Sequence, residues 1–512
     1  MKEISSRLQM LFSDHVRRSI ARIFTAVCVF GAGVIALYML VMRFAFLSNG
    51  LSYDELYSAI TASPQFPFKY IWQEMLLKDV NLPLFNVLLW GWNRIFPFTI
   101  TWMRLFPALT GAAALAVAWF LSPAYWSRLK KYIFVTLLAG SFILVAYGRI
   151  LRTYSLSVLL TVVFSLLALR FIYRFERGEK PSTGNWLIFF AAGLLGAYSH
   201  YFCAALFFIT ALVVFLYAQF YKVDRGWAFW GTAIVFLGWI LWFARALSIV
   251  QSSAQTWWIH TPFLKASLNI ITFLLGPTWL VVAILYGVVL AGVSVLFTYK
   301  KNLLKQADFV LPLAQIVLLC GVVAVASWKV NLWLDRYFLP MLVSVILLFT
   351  AFLEHLRKRH LVLLVLWPLL LVGWVQFFWK LDYLSWPEYN GWREAFTRVI
   401  QTEKADKLLV DLSKVTYPRA AIMPMFSFYI PEGVDLELIA LTAQNVSMSW
   451  ETNPKTYILV PLCSQVSMID SLVSMRAETD GAPLLFGHDT CLYTASPLVR
   501  KVRNYEKNIL SL

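Results

Sequence analysis

Long apolar runs, separated by short polar segments, fill the first 380 residues of the chain. Most of these runs approach the ~20 residues that a helix needs to cross the hydrocarbon core of a bilayer. They lie near residues 20–46, 105–121, 133–148, 155–173, 186–200, 201–221, 227–247, 270–298, 309–327, 337–356 and 361–379. The pattern predicts an all-α polytopic membrane bundle with about eleven transmembrane helices.

Basic residues recur at every second loop between the apolar runs. They precede the first run at Arg17, Arg18 and Arg22. The later clusters are Arg128/Lys130/Lys131, Arg174/Arg177/Lys180, Lys222/Arg225, Lys300/Lys301/Lys305 and Arg357/Lys358/Arg359. Because cytoplasmic loops are enriched in Lys and Arg, this alternation places the N-terminus in the cytoplasm. The loop clusters also explain the formal net charge of +17, so we do not expect nucleic-acid binding.

One segment, residues 83–96, is apolar but short, and its assignment decides the topology after it. If it crossed the membrane, every later basic cluster would move to the outer side. We therefore interpret it as an interfacial helix that lies on the membrane. Residues 47–104 then form one long outer loop, with several interfacial helices, inside a transmembrane domain 1–380. The odd number of spans places residues 381–512 outside as well, where amphipathic and short strand patterns alternate and predict an extracytoplasmic α/β domain.

The composition agrees with a membrane protein, since 60% of the residues are hydrophobic and 14% are charged. A soluble domain usually carries about 25% charged residues. Residues 1–22 are basic and amphipathic, and the run after them is long enough to span, so it predicts a retained anchor. Cysteines inside apolar runs are typical core residues: Cys28, Cys203 and Cys320. Cys463 and Cys491 lie in the polar tail and are able to pair if that tail faces an oxidising compartment.

Unusual charged residues concentrate on the predicted outer side. Arg149 and Arg152 lie in a short outer loop, where arginine is disfavoured, so they should face carboxylates or a phosphate. Arg336 lies at another span boundary on that side. Because arginine forks bind phosphate bidentately, the three residues predict a site for a lipid-linked phosphate. Asp54, in the first outer loop, is a candidate general base for an acceptor hydroxyl or amine, and Glu55 is a weaker second candidate.

Each of these residues also has a simpler explanation. Acids such as Asp54 and Glu55 favour the dipole at the start of a helix. Arg149 and Arg152 are long enough to snorkel to the interface. His200, inside an aromatic stretch, suits a hydrogen-bonded packing residue. No residue is specific alone, so the functional hypothesis depends on their joint placement on one face.

An ordered set of short stretches resembles the GT-C glycosyltransferases. The nearest branch is the protein mannosyltransferase and aminoarabinose transferase group, whose members use polyprenyl-phosphate sugars. The matching stretches, in family order along residues 20–380, are YDELYSAI (53–60), NLPLFNVLLWGWNRIFP (81–97), RLFPALTGAAALAVAWFL (104–121), GRILRTYSLSVLL (148–160), YSHYFCAALFF (198–208) and DRYFLP (335–340). The resemblance implies inverting transfer of a sugar from a polyprenyl-phosphate donor to a glycan, lipid or protein acceptor. It places this reaction at the extracytoplasmic face of a bacterial plasma membrane.

The resemblance also implies roles for individual residues. Asp54 matches the aspartate that deprotonates the acceptor as it attacks the anomeric carbon of the donor sugar. Arg149 and Arg152 match the second outer loop, which faces the active site in these enzymes. Arg336 matches a position near the donor phosphate. The residues expected to line the cavity are Asn81, Tyr154, His200 and Tyr201.

Two departures from the family pattern affect the expected chemistry. Related sequences often have His-Pro-Pro where this chain has Asn81-Leu82-Pro83. Metal-dependent members place acids in the second outer loop, whereas this chain offers Arg149 and Arg152 there. A divalent ion would lack ligands and meet repulsion, so we predict a metal-independent enzyme without other cofactors. Arginine would neutralise the leaving phosphate instead.

Two other functions remain open from the sequence. One is a lipid or glycan transporter or flippase, in which the outer charges form a gate. Such proteins commonly have internal repeats and polar residues near the bilayer midplane, whereas this sequence has no internal repeat and gathers polar residues at one face. The other is a non-catalytic membrane scaffold whose tail binds a partner. Neither the sugar nor the acceptor is identified by the sequence.

Overall fold

A computed structural model describes residues 14–48, 50–252, 263–275, 306–328, 331–354, 373, 375, 392–405, 407–411, 429–430, 434–441, 456–461, 484–486 and 490–494. This part of the chain is mostly helical. The runs predicted as spans near 270–298 and 361–379 lie largely outside the described residues, as do Cys463 and its predicted pairing.

The described helices follow the apolar runs along the chain. In order they are α1 Asp14–Met42, α2 Tyr53–Thr61, α3 Phe68–Tyr70, α4 Leu84–Asn93, α5 Ile100–Phe120, α6 Arg128–Gly140, α7 Phe142–Tyr147, α8 Tyr154–Glu176, α9 Thr183–Ser199, α10 Tyr201–Tyr221, α11 Arg225–Ser252, α12 Phe263–Leu275, α13 Ala307–Ala326, α14 Met341–Glu354 and α15 Trp392–Thr397. A π-turn Ile71–Met75 and 3₁₀ turns Leu76–Lys78 and Asp335–Phe338 connect some of them, and a second π-turn Arg398–Thr402 follows α15.

Five helices of the described part are long and apolar enough to cross a membrane: Ile100–Phe120, Tyr154–Glu176, Tyr201–Tyr221, Arg225–Arg245 and Ala307–Ala326. Each coincides with a predicted run. Shorter apolar helices lie at Val29–Met42, Phe263–Leu274 and Met341–Phe352. The total of eleven spans therefore stays a prediction, and the mostly helical membrane fold is what the described residues show.

One predicted span is broken. The run at 133–148 was expected to form a single helix, but the structure has α6 and α7, separated at Ser141, whose ψ of 112° is that of extended backbone. Helix α4, in the segment predicted to be interfacial, has ten residues. At 1.5 Å per residue it is about 15 Å long, roughly half the thickness of the hydrocarbon core.

The chain divides into two compact units. The first contains Met1–Ala45, Leu76–Trp92 and Arg104–Leu381, and the second contains Phe46–Met75, Asn93–Met103 and Asp382–Leu512. The predicted division into domains 1–380 and 381–512 stays a prediction.

An aromatic core joins α8, α9 and α10 in the first unit. The Phe171 ring lies 4.4 Å from that of Trp186, and both side chains are fully buried. Helices α9 and α10 approach closely at Gly193, where an added Cβ would lie 2.1 Å from the Phe207 ring. Because lipid is as apolar as these side chains, close packing rather than exclusion from water holds such helices together.

A buried polar network ties four helices of the same unit. The Gln315 amide, on α13, donates to Ser165 Oγ on α8 at 2.9 Å and to Thr210 Oγ1 on α10 at 2.7 Å. Its carbonyl oxygen accepts from Ser344 Oγ on α14 at 2.9 Å. Gln315 has no exposed surface, so these bonds supply the partners that its buried amide needs. An interhelical hydrogen bond of this kind contributes about 0.6 kcal/mol on average in a membrane.

A buried ion pair joins α6 to α13. Lys130 Nζ lies 2.5 Å from Asp308 Oδ2, and their side chains are 3% and 11% exposed. The Tyr125 hydroxyl and the Trp126 indole also donate to this carboxylate, at 2.5 Å and 3.2 Å. Burial and the negative charge of Asp308 raise the pKa of Tyr125, which keeps the phenol protonated as a donor.

The second unit contains a five-stranded sheet with the order β2-β1-β3-β5-β4. The strands are β1 Lys407–Asp411, β2 Glu437–Leu441, β3 Thr456–Pro461, β4 Leu484–Phe486 and β5 Thr490–Thr494. β1 is parallel to β2 and β3, whereas β5 is antiparallel to β3 and β4. Most of the residues between these strands are outside the described part, so the C-terminal α/β domain as a whole stays a prediction.

Candidate functional site

The loop 148–153, which carries two of the predicted arginines, begins at a tightly packed glycine. A Cβ added to Gly148 would lie 2.6 Å from the Leu144 carbonyl oxygen and 3.0 Å from Arg43 Nη1. Arg43 follows α1 and is 2% exposed. It donates from Nη1 to Leu144 O at 2.7 Å and from Nη2 to Leu138 O at 3.4 Å. The loop is therefore anchored to a buried arginine that the sequence patterns did not single out.

The two carbonyls that Arg43 binds belong to helix ends. Leu138 is in the last turn of α6, and Leu144 is among the last four residues of α7. Carbonyls at helix C-termini carry the negative end of the helix dipole, which suits a cation, and Leu144 O accepts from the Gly148 backbone N–H at 3.1 Å as well as from Arg43. Arg43 therefore binds a backbone carbonyl on each side of the break between α6 and α7.

Arg149 and Arg152 occupy different environments. Arg149 is 8% exposed and donates from Nη1 to the Ala45 carbonyl oxygen at 2.6 Å. Arg152 is half-buried and places Nη2 3.5 Å from Asn81 Oδ1. The structure thus brings Arg152 beside one predicted cavity residue, and it ties Arg149 to the backbone just after α1.

Asn81 is held from the other side by an aspartate. Asp79 Oδ1 accepts from the Asn81 backbone N–H and from its Nδ2, both at 3.0 Å. The Tyr201 hydroxyl, at the start of α10, donates to the carbonyl oxygen of the intervening Val80 at 2.6 Å. Three of the predicted residues, Asn81, Arg152 and Tyr201, therefore lie in one hydrogen-bonded group.

His200 separates α9 from α10 and caps the second of these helices. Its Nδ1 accepts from the Phe202 backbone N–H at 3.2 Å, so the neutral ring carries its proton on Nε2. Burial, and then the positive charge of Arg152, lower the pKa of His200 to about 3. The ring centroid lies 6.2 Å from that of Tyr154 and 5.6 Å from that of Tyr337. His200 is thus a neutral hydrogen-bond donor among aromatic rings at neutral pH.

Arg336 precedes Tyr337 in the 3₁₀ turn Asp335–Phe338. Asp335 Oδ1 accepts from the Arg336 backbone N–H at 2.7 Å, so this acid caps its own turn. The contact between Tyr337 and His200 connects that turn to the junction of α9 and α10.

Arg245, near the end of α11, belongs to this neighbourhood and was not predicted. Its guanidinium lies 5.0 Å from the centre of the Trp242 ring and within electrostatic range of Tyr201. Both terminal nitrogens are buried, and the described residues offer them no hydrogen-bond acceptor. An arginine inside an apolar run is itself a signal of function, and that signal was present in the sequence at 227–247.

Asp54 and Glu55 begin α2, in the second unit. Glu55 is 3% exposed, and its Oε2 accepts from the Ser52 backbone N–H at 3.0 Å and from Ser52 Oγ at 2.9 Å. This is a capping box, which occupies the Glu55 carboxylate at the helix start. Asp54 is half-buried and therefore more accessible. The catalytic assignment of both acids stays a prediction.

Within the described ranges, no group of three or more His, Cys, Asp or Glu residues is arranged to hold a metal ion. Metal independence stays a prediction, since it rests on the presence of arginines where metal-dependent members have acids in the second outer loop.

The comparisons with known proteins give a match in structure. No family model matches the sequence, and no curated protein matches it. The crystal structure of apo ArnT from Cupriavidus metallidurans is 10% identical, with a TM-score of 0.55 over 91% of this chain and 98% of that chain. The structure of the same protein bound to undecaprenyl phosphate is 11% identical, with a TM-score of 0.50 over 91% and 97%.

A weaker likeness, with a TM-score of 0.42 and 12% identity, links 85% of this chain to 67% of the Archaeoglobus fulgidus oligosaccharyltransferase with Zn and sulfate. The ArnT match extends over nearly the whole of both chains. The chain therefore has the fold of the GT-C glycosyltransferase ArnT, an aminoarabinose transferase, which confirms at the level of fold the resemblance found in the sequence.

Proposed function

We propose that this chain is an inverting membrane glycosyltransferase that moves a sugar from a polyprenyl-phosphate donor to an acceptor on the extracytoplasmic face. The observation that carries the proposal is the group of Arg152, His200 and Tyr201 at the ends of α8, α9 and α10, joined by Asn81 from the turn before α4, in a chain with the fold of ArnT. The ArnT structure that contains undecaprenyl phosphate supports this donor class.

Arginine is the group proposed to bind the donor phosphate. Arg149, Arg152 and Arg336 supply fixed positive charge, and an arginine fork pairs two donors with two phosphate oxygens. The neutral His200 adds a hydrogen-bond donor at Nε2 without a titrating charge. These donors are oriented before the reaction begins, so they stabilise the charge that develops on the leaving phosphate.

Asp54 is the proposed general base. The acceptor oxygen or nitrogen attacks the anomeric carbon on the face opposite the phosphate, and its proton passes to the Asp54 carboxylate. The bond from the anomeric carbon to the phosphate oxygen breaks, and its electron pair leaves with the polyprenyl phosphate. This role rests on the family resemblance of the first outer loop. Glu55 is a weaker candidate, because its carboxylate is bonded to Ser52.

The proposal includes the membrane topology predicted from charge. The chain lies in a bacterial plasma membrane with about eleven spans, a cytoplasmic N-terminus and an extracytoplasmic C-terminal domain. The reaction needs no metal or other cofactor. The acceptor is a glycan, lipid or protein at the outer face.

A complementation experiment tests the mechanism. Membrane glycolipids and glycoproteins are profiled in a strain that lacks the chain and in the same strain supplied with wild type, Asp54→Asn or Glu55→Gln. We expect Asp54→Asn to accumulate normally in the membrane and to leave the missing glycan unrestored. Near-normal transfer by Asp54→Asn would remove the proposed base, and an unchanged glycan profile in the deletion strain would count against the enzyme itself.

A further inference from the structure

A buried carboxylate lies beside the proposed phosphate site, and the mechanism above does not use it. Asp79 is 8% exposed, in the turn before α4. Its Oδ1 accepts from the Asn81 backbone N–H at 3.0 Å, and Asn81 Nδ2 lies 3.0 Å and 3.2 Å from the two carboxylate oxygens. A negative charge next to an anion site is unfavourable by itself, so its presence calls for a compensating role.

The contacts with Asp79 determine which way the Asn81 amide faces. An amide has two donors on its nitrogen and an acceptor on its oxygen, and a carboxylate only accepts. Asp79 therefore selects the orientation in which Nδ2 faces the acid and Oδ1 faces Arg152, which lies 3.5 Å away at Nη2. The Asn81 amide thus transmits orientation from the Asp79 carboxylate to the Arg152 guanidinium.

The backbone between the two residues is fixed as well. The Tyr201 hydroxyl donates to Val80 O at 2.6 Å, which ties this turn to the first residue of α10. His200, one residue earlier, interacts electrostatically with Arg152. The turn 79–81 and the arginine loop, residues 148–153, are therefore connected through both the Asn81 side chain and the start of α10.

We propose that Asp79 is a positioning residue for the donor phosphate, which holds the Asn81 amide so that its oxygen orients Arg152. The inference rests on the proposed function, because it assigns Arg152 to the phosphate. This role predicts a change in anion affinity that is opposite in direction to the change expected from charge alone. Removing a carboxylate beside an anion site would tighten anion binding, because a Coulomb repulsion is lost. Loss of a positioning residue would weaken anion binding instead.

The test is binding of undecaprenyl phosphate, as the probe, to the purified full-length protein in lipid nanodiscs. We expect Asp79→Asn to weaken binding by about tenfold, the loss expected for one hydrogen bond to a charged group. Asn81→Leu removes the amide that lies between Asp79 and Arg152, and it should weaken binding similarly. Asp435→Asn removes an exposed carboxylate and serves as the charge-matched control, with binding unchanged.

The double variant Asp79→Asn/Asn81→Leu separates positioning from general loss of structure. If Asp79 acts through Asn81, the double variant binds no worse than Asn81→Leu, whereas independent damage to the fold would add. Wild-type or tighter binding by Asp79→Asn, or additive losses, would overturn the inference and leave the phosphate site in place. Unweakened binding by Arg152→Gln, or no binding by wild type, would overturn the proposed function and the inference with it.

Discussion

Replacement of Gly148 by alanine is the sharpest test of how the arginine loop is held. The backbone of Gly148 has φ −65° and ψ −14°, in the right-handed helical region that alanine adopts without strain. Any effect of Gly148→Ala must therefore come from contacts of the added methyl group. That group would lie 2.6 Å from Leu144 O and 3.0 Å from Arg43 Nη1.

The size of the effect follows from these two neighbours. A backbone carbonyl in a helix cannot move alone, so the methyl must displace the α7 end or the loop, and overpacking of this kind costs about 1–3 kcal/mol. The displacement also lengthens the 2.7 Å bond from Arg43 to Leu144 O, and a hydrogen bond to a charged group is worth about 1.5–3 kcal/mol. Because the two effects share a cause, we expect a loss of about 3 kcal/mol.

Thermal unfolding of the purified protein in detergent measures this loss. The matched control is Gly91→Ala in α4, where an added Cβ meets nothing within 4 Å. Alanine in a helix interior there should be neutral or stabilise by about 0.5–1 kcal/mol. Gly148→Ala should lower the Tm by several degrees and weaken undecaprenyl phosphate binding. A Tm equal to that of the control would refute the packing of Arg43 against the loop.

Two further predictions concern buried ionisable groups. His200 should stay a neutral Nε2–H tautomer from pH 5 to 8, as judged from ¹⁵N-histidine NMR with His200→Gln to assign the signal; a midpoint near 6.5 would contradict the buried site. The pKa of His200 is about 3 in the folded protein and 6.5 ordinarily, so the unfolded state binds more protons below pH 6.5. The stability of the folded protein is therefore full above pH 6.5 and decreases by at most about 1.4 kcal/mol for each pH unit below 6.5. Asp308→Asn should cost about 3–5 kcal/mol in thermal unfolding, since it leaves Lys130 buried without its carboxylate. Adding Lys130→Met should restore part of that loss, and a double variant less stable than the single one would argue against a buried pair.

The positions of helices followed from the sequence where the length and hydropathy of a single apolar run were sufficient to predict them. The runs at 155–173, 201–221 and 309–327 became α8, α10 and α13, since length and hydropathy determine which segments suit a bilayer. The junction between α9 and α10 lies at His200, as the tight pair of runs predicted. The break at Ser141 did not follow from the local pattern, and the carbonyls on its two sides bind Arg43, which lies about a hundred residues earlier in the chain.

The proximity of several candidate residues was predicted from the sequence, whereas their functional roles stay predictions. The sequence placed Arg152, His200 and Tyr201 on one face, and the structure brings them together. It missed the capping box of Glu55, although Ser52 three residues earlier is the usual signal for that motif. It also missed the Asp79 contact with Asn81, which is a short-range pattern typical of such residues in turns.

Backbone carbonyls hold much of the arginine neighbourhood, and this choice of partner has a chemical consequence. Arg43 donates to Leu138 O and Leu144 O, and Arg149 donates to Ala45 O. A carbonyl dipole orients a guanidinium but leaves its net charge intact, whereas a carboxylate would cancel it. At Arg152 the contact from Asn81 is likewise a neutral amide oxygen. Each of these contacts orients a guanidinium without itself adding a negative charge, so the geometry that it fixes does not reduce the attraction for an anionic ligand.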